Sequence, residues 1–451
     1  MEPELGALLP AWSAVPFIGM LLSIALLPLL APVFWHHHFP KVTAGWAAVL
    51  LVPLLVAHPR AGMEAIAHTT IVDYVPFVVL IATLFTLGGG IHVRGGLRGT
   101  PAGNAALLAV GTVLASVVGT TGAAMLLIRP VLRANATRRY RTHTVVFFIF
   151  LVANVGGALT PLGDPPLFLG FLHGVPFFWT LGLWREMATV AGVVLGVFVI
   201  VDEFQWRRED AVVRERPQGP REPIRVEGAH NLLFLVVVLA AVIASGLWHG
   251  PTVTLLGARQ HSENLARDAV LLLTLVLSWR TTPQAVREAN GYSWGPIREV
   301  AVLFAGIFAT IIPPLAMLQA GERGALVFLV RAVREPAHFF WASGILSSFL
   351  DNAPTYLTFL STALGRLAPG VPEREAIARL LVEHPAHLRA IATGSVFMGA
   401  NSYIGNAPNF MVKSIAEEAG VPMPSFFGYI GRYTVPVLLP TFLLATWVFF
   451  S

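Results

Sequence analysis

The sequence predicts an all-α, multi-pass membrane protein, and three observations carry that reading. Of its 451 residues 55% are apolar and only 12% are charged, about half the charge of a soluble domain. Mean hydropathy is +0.69, which is more apolar surface than a soluble chain can hide, though hydrocarbon accepts it. Apolar stretches near the ~20 residues needed to cross a bilayer core as helix recur from end to end. Cysteine is absent, so disulfides and thiolate metal sites are excluded.

Ten crossings are expected, at 12–35, 42–57, 71–92, 143–160, 186–202, 230–248, 268–279, 298–319, 389–412 and 433–450. Those at 42–57 and 268–279 are short. The first is no secretory signal: no Lys or Arg precedes Lys41, and the run is too long for a signal core. Two further apolar stretches, 104–129 and 339–364, are broken near their middles by Gly119-Thr120-Thr121-Gly122 and by Asp351-Asn352-Ala353-Pro354. Non-helical backbone at membrane depth survives only where protein or a wet cavity satisfies it. Both stretches therefore read as re-entrant hairpins with buried tips.

Loop charge supports the hairpin reading. The net charge of +5 comes from arginines in short loops between apolar runs, a pattern that fits the positive-inside rule better than nucleic-acid binding. Arg94 and Arg98 precede the first hairpin, and Arg129, Arg133, Arg138, Arg139 and Arg141 follow it. With both flanks cytoplasmic, that segment does not cross. Residues 203–229 carry Arg207, Arg208, Arg214, Arg216, Arg221 and Arg225 among several acids and read as a cytoplasmic linker. It separates residues 1–202 from residues 230–451, each half holding five crossings and one hairpin, with both termini outside.

The halves echo one another. Asp73, Phe77 and Ala82-Thr83 are matched by Glu299, Phe304 and Ala309-Thr310. After the first hairpin comes Pro161-Leu162-Gly163-Asp164-Pro165-Pro166, and after the second Ile404-Gly405-Asn406-Ala407-Pro408. Five crossings per half give the two repeats opposite orientation. That is the architecture of secondary transporters, whose site is built from discontinuous helices at mid-bilayer.

Breaks are expected at 119–122, 154–166, 351–354 and 401–408. A broken helix frees carbonyls that coordinate hard cations and amides that attract anions. Glycine permits close approach of backbone, and proline fixes the break. Two carboxylates stand at the breaks, Asp164 and Asp351. An acid at membrane depth is a functional candidate because stranding it there costs roughly 2.5–3.5 kcal/mol on insertion scales. Such a group can exchange a proton for a sodium ion, so Asp164 and Asp351 are the expected sodium ligands. Asn154, Asn352, Asn401, Asn406 and Thr121 could supply neutral oxygens. The competing reading of each aspartate is a helix N-cap. Asp73 and Glu299 read as interfacial, His36-His37-His38 as a solvated turn, Arg129 as a topology anchor, Lys413 as a helix-end charge and Gly88-Gly89-Gly90 as a close helix contact. No nucleophile–base pair or metal-binding His-Glu motif stands out, so the chain does not read as an enzyme, and a passive channel is disfavoured by the repeats.

Residues 154–166 (NVGGALTPLGDPP), 347–355 (SSFLDNAPT) and 399–409 (GANSYIGNAPN) resemble the broken-helix and hairpin motifs of the ion transporter superfamily. Within it the chain is most similar to NhaD-type sodium/proton antiporters and to the related citrate transporters. The resemblance implies a homodimer with a scaffold domain and a mobile, elevator-like transport domain. It implies a site lined by Asn154, Thr160, Asp164, Asp351, Asn352, Thr355, Asn401 and Asn406. It also implies sodium and protons as transported ions with no cofactor. The Arg-rich, Lys-poor usage and the lack of targeting signals suit a bacterial inner membrane. The Ser-Asn-Thr signature of dicarboxylate carriers is missing from both hairpin tips, which favours a cation over an organic anion; citrate carriage is the alternative.

Overall fold

A computed structural model describes residues 3–451 apart from 96–98, 212, 214–222, 224 and 249. Arg98, Arg214, Arg216 and Arg221 of the sequence reading lie outside the described residues. The described chain is helical throughout, save for two short antiparallel ribbons, β1 (His92–Arg94) with β2 (Arg225–Glu227), and β3 (Thr252–Leu255) with β4 (Ala258–His261). Eight described helical stretches are long and apolar enough to cross a membrane, and a bent pair makes a ninth. The protein is an all-α polytopic membrane protein.

The membrane helices begin with α1 (Val15–Leu30) and α2 (Pro32–Ala57). The break between them falls at Ala31, ahead of Pro32, whose ring cannot continue a helix. His36-His37-His38 therefore lies inside α2, which corrects the reading of a loop there. The next span runs unbroken from Pro59 to Gly89, as α3 (Pro59–His68), a π-helical segment (Thr69–Tyr74) and α4 (Val75–Gly89). Asp73 sits in the π segment, 2% exposed, rather than at an interfacial span end. A wide turn of this kind, rare in soluble helices, often marks a functional position. At its far end the three glycines bring α4 against its neighbours: a Cβ on Gly89 would meet the Tyr292 ring at 2.4 Å.

The first hairpin is α5 (Pro101–Val118) and α6 (Thr120–Ala134), packed on one another and separated by the single residue Gly119. Its φ of 81° and ψ of 151° belong to a region essentially reserved for glycine. Gly119→Ala is expected to lower stability by about 1–3 kcal/mol, read as a lower melting temperature in detergent; an unchanged melting temperature would show that the tip relaxes freely. Then come α7 (Thr142–Leu151), a 3-10 turn (Val155–Leu159) and α8 (Pro165–Leu172), followed by α9 (Trp184–Arg207).

The second half contains α10 (His230–Leu247) and α11 (Ser262–Thr281). The latter is longer than the expected 268–279 because Glu263, Arg267 and Asp268 are folded into its first turns and buried. A bent pair follows, α12 (Gly295–Thr310) and α13 (Ile312–Gln319), broken at 43° ahead of Pro313-Pro314. The second hairpin is α14 (Pro336–Phe349) and α15 (Asn352–Leu367). After α16 (Glu373–Glu383) comes the second interrupted helix, α17 (Pro385–Met398), a 3-10 turn (Gly399–Asn401) and α18 (Ala407–Glu418). A π segment (Ile430–Leu438) and α19 (Leu439–Phe449) end the chain.

The core lies around the interrupted helices. In α7 every residue from His143 to Leu151 is buried, whereas α2 and α10 expose their apolar side chains widely. Exposed apolar residues on peripheral helices are expected where lipid is the solvent.

Candidate functional site

Four helices begin at one place: α6 at Thr120, α8 at Pro165, α15 at Asn352 and α18 at Ala407. Each follows a break that the sequence predicts. Asp164 holds the N-cap position of α8, yet its side chain makes no capping bond. It is 2% exposed and turns inward to accept three donors. These are the Thr120 hydroxyl at 2.8 Å, the Asn406 amide at 3.3 Å and, on the other oxygen, the Asn352 amide. One carboxylate thus ties both hairpin tips and both interrupted helices together. Glycine makes this possible, since a Cβ on Gly157 would stand 2.8 Å from the Thr120 side chain and 2.9 Å from Asp164 Cβ.

Asp351 differs. Its side chain accepts from the Ala353 amide at 3.1 Å and caps α15, and it also lines a cavity. The two roles coexist there. Asn154 donates to the Ile149 carbonyl and to Asn409 Oδ1 and accepts from Asn406 at 3.3 Å. Thr355 donates to the Asp351 carbonyl at 3.0 Å, a local bond in the first turn of α15. Thr121 faces the cavities, and it is its neighbour Thr120, absent from the sequence prediction, that binds Asp164.

The breaks are wired alike in both halves. Ser116 donates to the Gly156 carbonyl at 2.5 Å, and Ser348, 232 residues later, donates to the Met398 carbonyl at 3.2 Å. Thr160 donates to the Ser116 carbonyl and accepts from the Leu162 amide at 3.2 Å. Ser402, 242 residues after Thr160, donates to the Ser348 carbonyl and accepts from the Ile404 amide at 3.2 Å. By the same spacings Asn352 answers to Thr120, Asn406 to Asp164 and Asp351 to Gly119, so each half-site carries one carboxylate, at a different position. Asn401 donates to Ser348 Oγ at 2.8 Å. The Asn352 and Asn401 side-chain oxygens are buried without a donor among the described residues. Asn409, also unforeseen, donates to the Gly399 and Ser402 carbonyls and holds the second break in shape.

Two adjoining cavities open on this cluster. One is bounded by Phe77, Leu80 and Leu84 of α4, the first hairpin tip, Asp164 and Phe168. The other is bounded by Phe85, Ile297, Phe304, Asp351, Asn406 and Met411. Ile81, Thr121 and Pro165 belong to both. No Arg, Lys or His among the described residues lines either. Arg129 stands apart, half-buried against the glycine of the loop at 291, and Lys413 pairs with Glu417 at 2.7 Å along α18.

Comparison with known proteins agrees with this architecture. Residues 6–450 match the family described as "Putative citrate transport". The chain belongs to that family. Similar proteins are an uncharacterized transporter of Mycobacterium bovis and one of Mycobacterium tuberculosis, each 24% identical over 416 residues, spanning 87% of this chain and 88% of the relative. Membership makes the protein a transporter, and the buried cluster at the four helix breaks is its candidate transport site. The family description names citrate and makes no mention of sodium.

Proposed function

We propose that the protein is a secondary active transporter that exchanges a cation, sodium in the first instance, for a proton at Asp164. The observation that carries this reading is the setting of Asp164: a buried carboxylate shared by both hairpin tips and both interrupted helices. A desolvated acid with adjustable neutral neighbours suits alternate binding of a proton and a hard cation. The unpartnered oxygens of Asn352 and Asn401 add neutral ligands. Asp351, on the adjoining cavity, is the second proposed ligand. Among the described residues no cationic side chain lines the cavities, which argues against a bare tricarboxylate as cargo. A bacterial inner membrane is the proposed location, in keeping with the mycobacterial relatives.

Citrate carriage is the second reading, favoured by the family description and by the four helix N-termini that meet at the site. The dipoles of helix N-termini attract anions. A citrate bound there would enter with cations held at Asp164 and Asp351, because two carboxylates otherwise repel it. In proteoliposomes carrying an internal pH dye, addition of sodium is expected to dissipate an imposed proton gradient. Uptake of labelled citrate without sodium-driven proton movement would replace the first reading with the second.

A further inference from the structure

His173, the residue after α8, lies outside the transport cluster. Its ring is buried between two carboxylates from distant parts of the chain. Nδ1 stands 2.6 Å from Glu373 Oε1 at the head of α16, and Nε2 stands 3.3 Å from Asp73 Oδ1 in the π segment. Burial works against the charged ring, yet Glu373 and Asp73 outweigh it and push His173 up to about 10. The Glu373 contact is a hydrogen bond and the Asp73 contact an ion pair, and a charged ring strengthens both.

The three elements joined here matter for the cavities. The helix that His173 ends is α8, which starts at Asp164 about 13 Å away by helical rise. Asp73 belongs to the continuous span whose α4 portion forms the opposite wall of the first cavity, through Phe77, Leu80 and Leu84. Glu373 lies downstream of the second hairpin. Along α8, Phe168 faces the cavity and also lies under the Arg267 guanidinium of α11 at 5.5 Å. Opening the cavity between α4 and α8 to water requires these two helices to part. At the α8 end distal to Asp164, the His173–Asp73 ion pair ties α8 to the span that continues into α4, and Glu373 of α16 braces the ring from the other side.

We infer that His173, Asp73 and Glu373 form a latch that keeps α8 closed against the α3–α4 span and seals one mouth of the transport cavity. Its role is the same whichever solute is carried. A helix whose neighbours supply only apolar contact would slide more freely. The π segment carries Asp73 to the end of α8.

The absence of cysteine gives a direct test on the reconstituted full chain. A thiol is introduced by Leu80→Cys in the cavity wall, and its labelling by a membrane-impermeant maleimide is timed from each face in turn. Adding His173→Gln is expected to speed labelling from one face by roughly tenfold, the factor corresponding to about 1.4 kcal/mol. His173→Lys, which keeps the positive charge, is expected to label nearly as slowly as the parent; a merely structural role would not separate Lys from Gln. Equal rates for the parent and His173→Gln overturn the latch. Should His173→Gln fail to fold, Asp73→Asn replaces it, with the same rise expected and an unchanged rate again overturning the inference. Labelling needs no substrate, so failure of sodium exchange leaves this result standing, and the reverse also holds.

Discussion

Asp164→Asn is expected to abolish transport while leaving the protein inserted and folded. The substitution keeps the shape of the side chain, so the packing at Gly157 survives. It removes the only charge shared by Thr120, Asn352 and Asn406 and turns an acceptor-only group into one that faces donors with a donor of its own. Hydrogen bonds to a charged partner contribute roughly 1.5–3 kcal/mol each, so a fall in melting temperature accompanies the loss of exchange. The decisive measurement is the ligand dependence of stability. Sodium at a hundred times its dissociation constant should stabilise the parent by about 2.7 kcal/mol and leave Asp164→Asn unmoved. A variant that still exchanges, or that keeps its sodium-dependent shift, removes Asp164 from the mechanism. Asp351→Asn is the informative partner. Asparagine caps a helix as well as aspartate does, so the bond to the Ala353 amide persists, and any loss of exchange reports the charge alone.

The sequence made the helical membrane class, both hairpins and all four breaks legible, because hydropathy and helix-breaking residues are local signals. Asp164 was visible for the same reason: an acid flanked by glycine and proline inside an apolar run has few structural uses. What remained hidden was set by helical phase. Thr120 and Thr121 are adjacent and chemically alike, and only the φ of 81° at Gly119 decides which of them turns toward Asp164. A signal existed in the spacing. Ser116 precedes Thr120 as Ser348 precedes Asn352, and Thr160 precedes Asp164 as Ser402 precedes Asn406, always by four residues. Reading that repeated interval would have picked out both serines and Thr120. Asp73 was misplaced because a π segment lets its span run on to Pro59, and no hydropathy window registers a change from one helical pitch to another. The partners of His173 lie 100 residues before it and 200 after it, a distance across which charge pattern says nothing.

Asp202→Ala is expected to damage the protein more than any loss at the transport cluster, although it lies far from Asp164 in the sequence. Asp202 is fully buried near the end of α9. Its carboxylate receives the Arg138 guanidinium at 2.5 Å, the His143 ring at 2.8 Å and the Asn104 amide at 2.9 Å. Asn104 opens the first hairpin, Arg138 follows its close, and His143 begins α7, so one acid pins the base of the hairpin to the interrupted helix and to α9. Glu209, 3.8 Å from Arg138, also accepts the Arg139 and Tyr140 amides and is too committed to replace it. Removing one partner of a buried pair leaves the other charge uncompensated and costs about 3–5 kcal/mol, a large fraction of the stability of an ordinary domain. Poor recovery of monodisperse protein and a strongly lowered melting temperature are the expected readouts. The pair Asp202→Ala with Arg138→Met tests the cause, since it removes the stranded cation together with its partner. If the uncompensated charge is responsible, the double variant is more stable than Asp202→Ala alone. If both melt at the same temperature, the hairpin is held by packing and the buried ions are incidental to it.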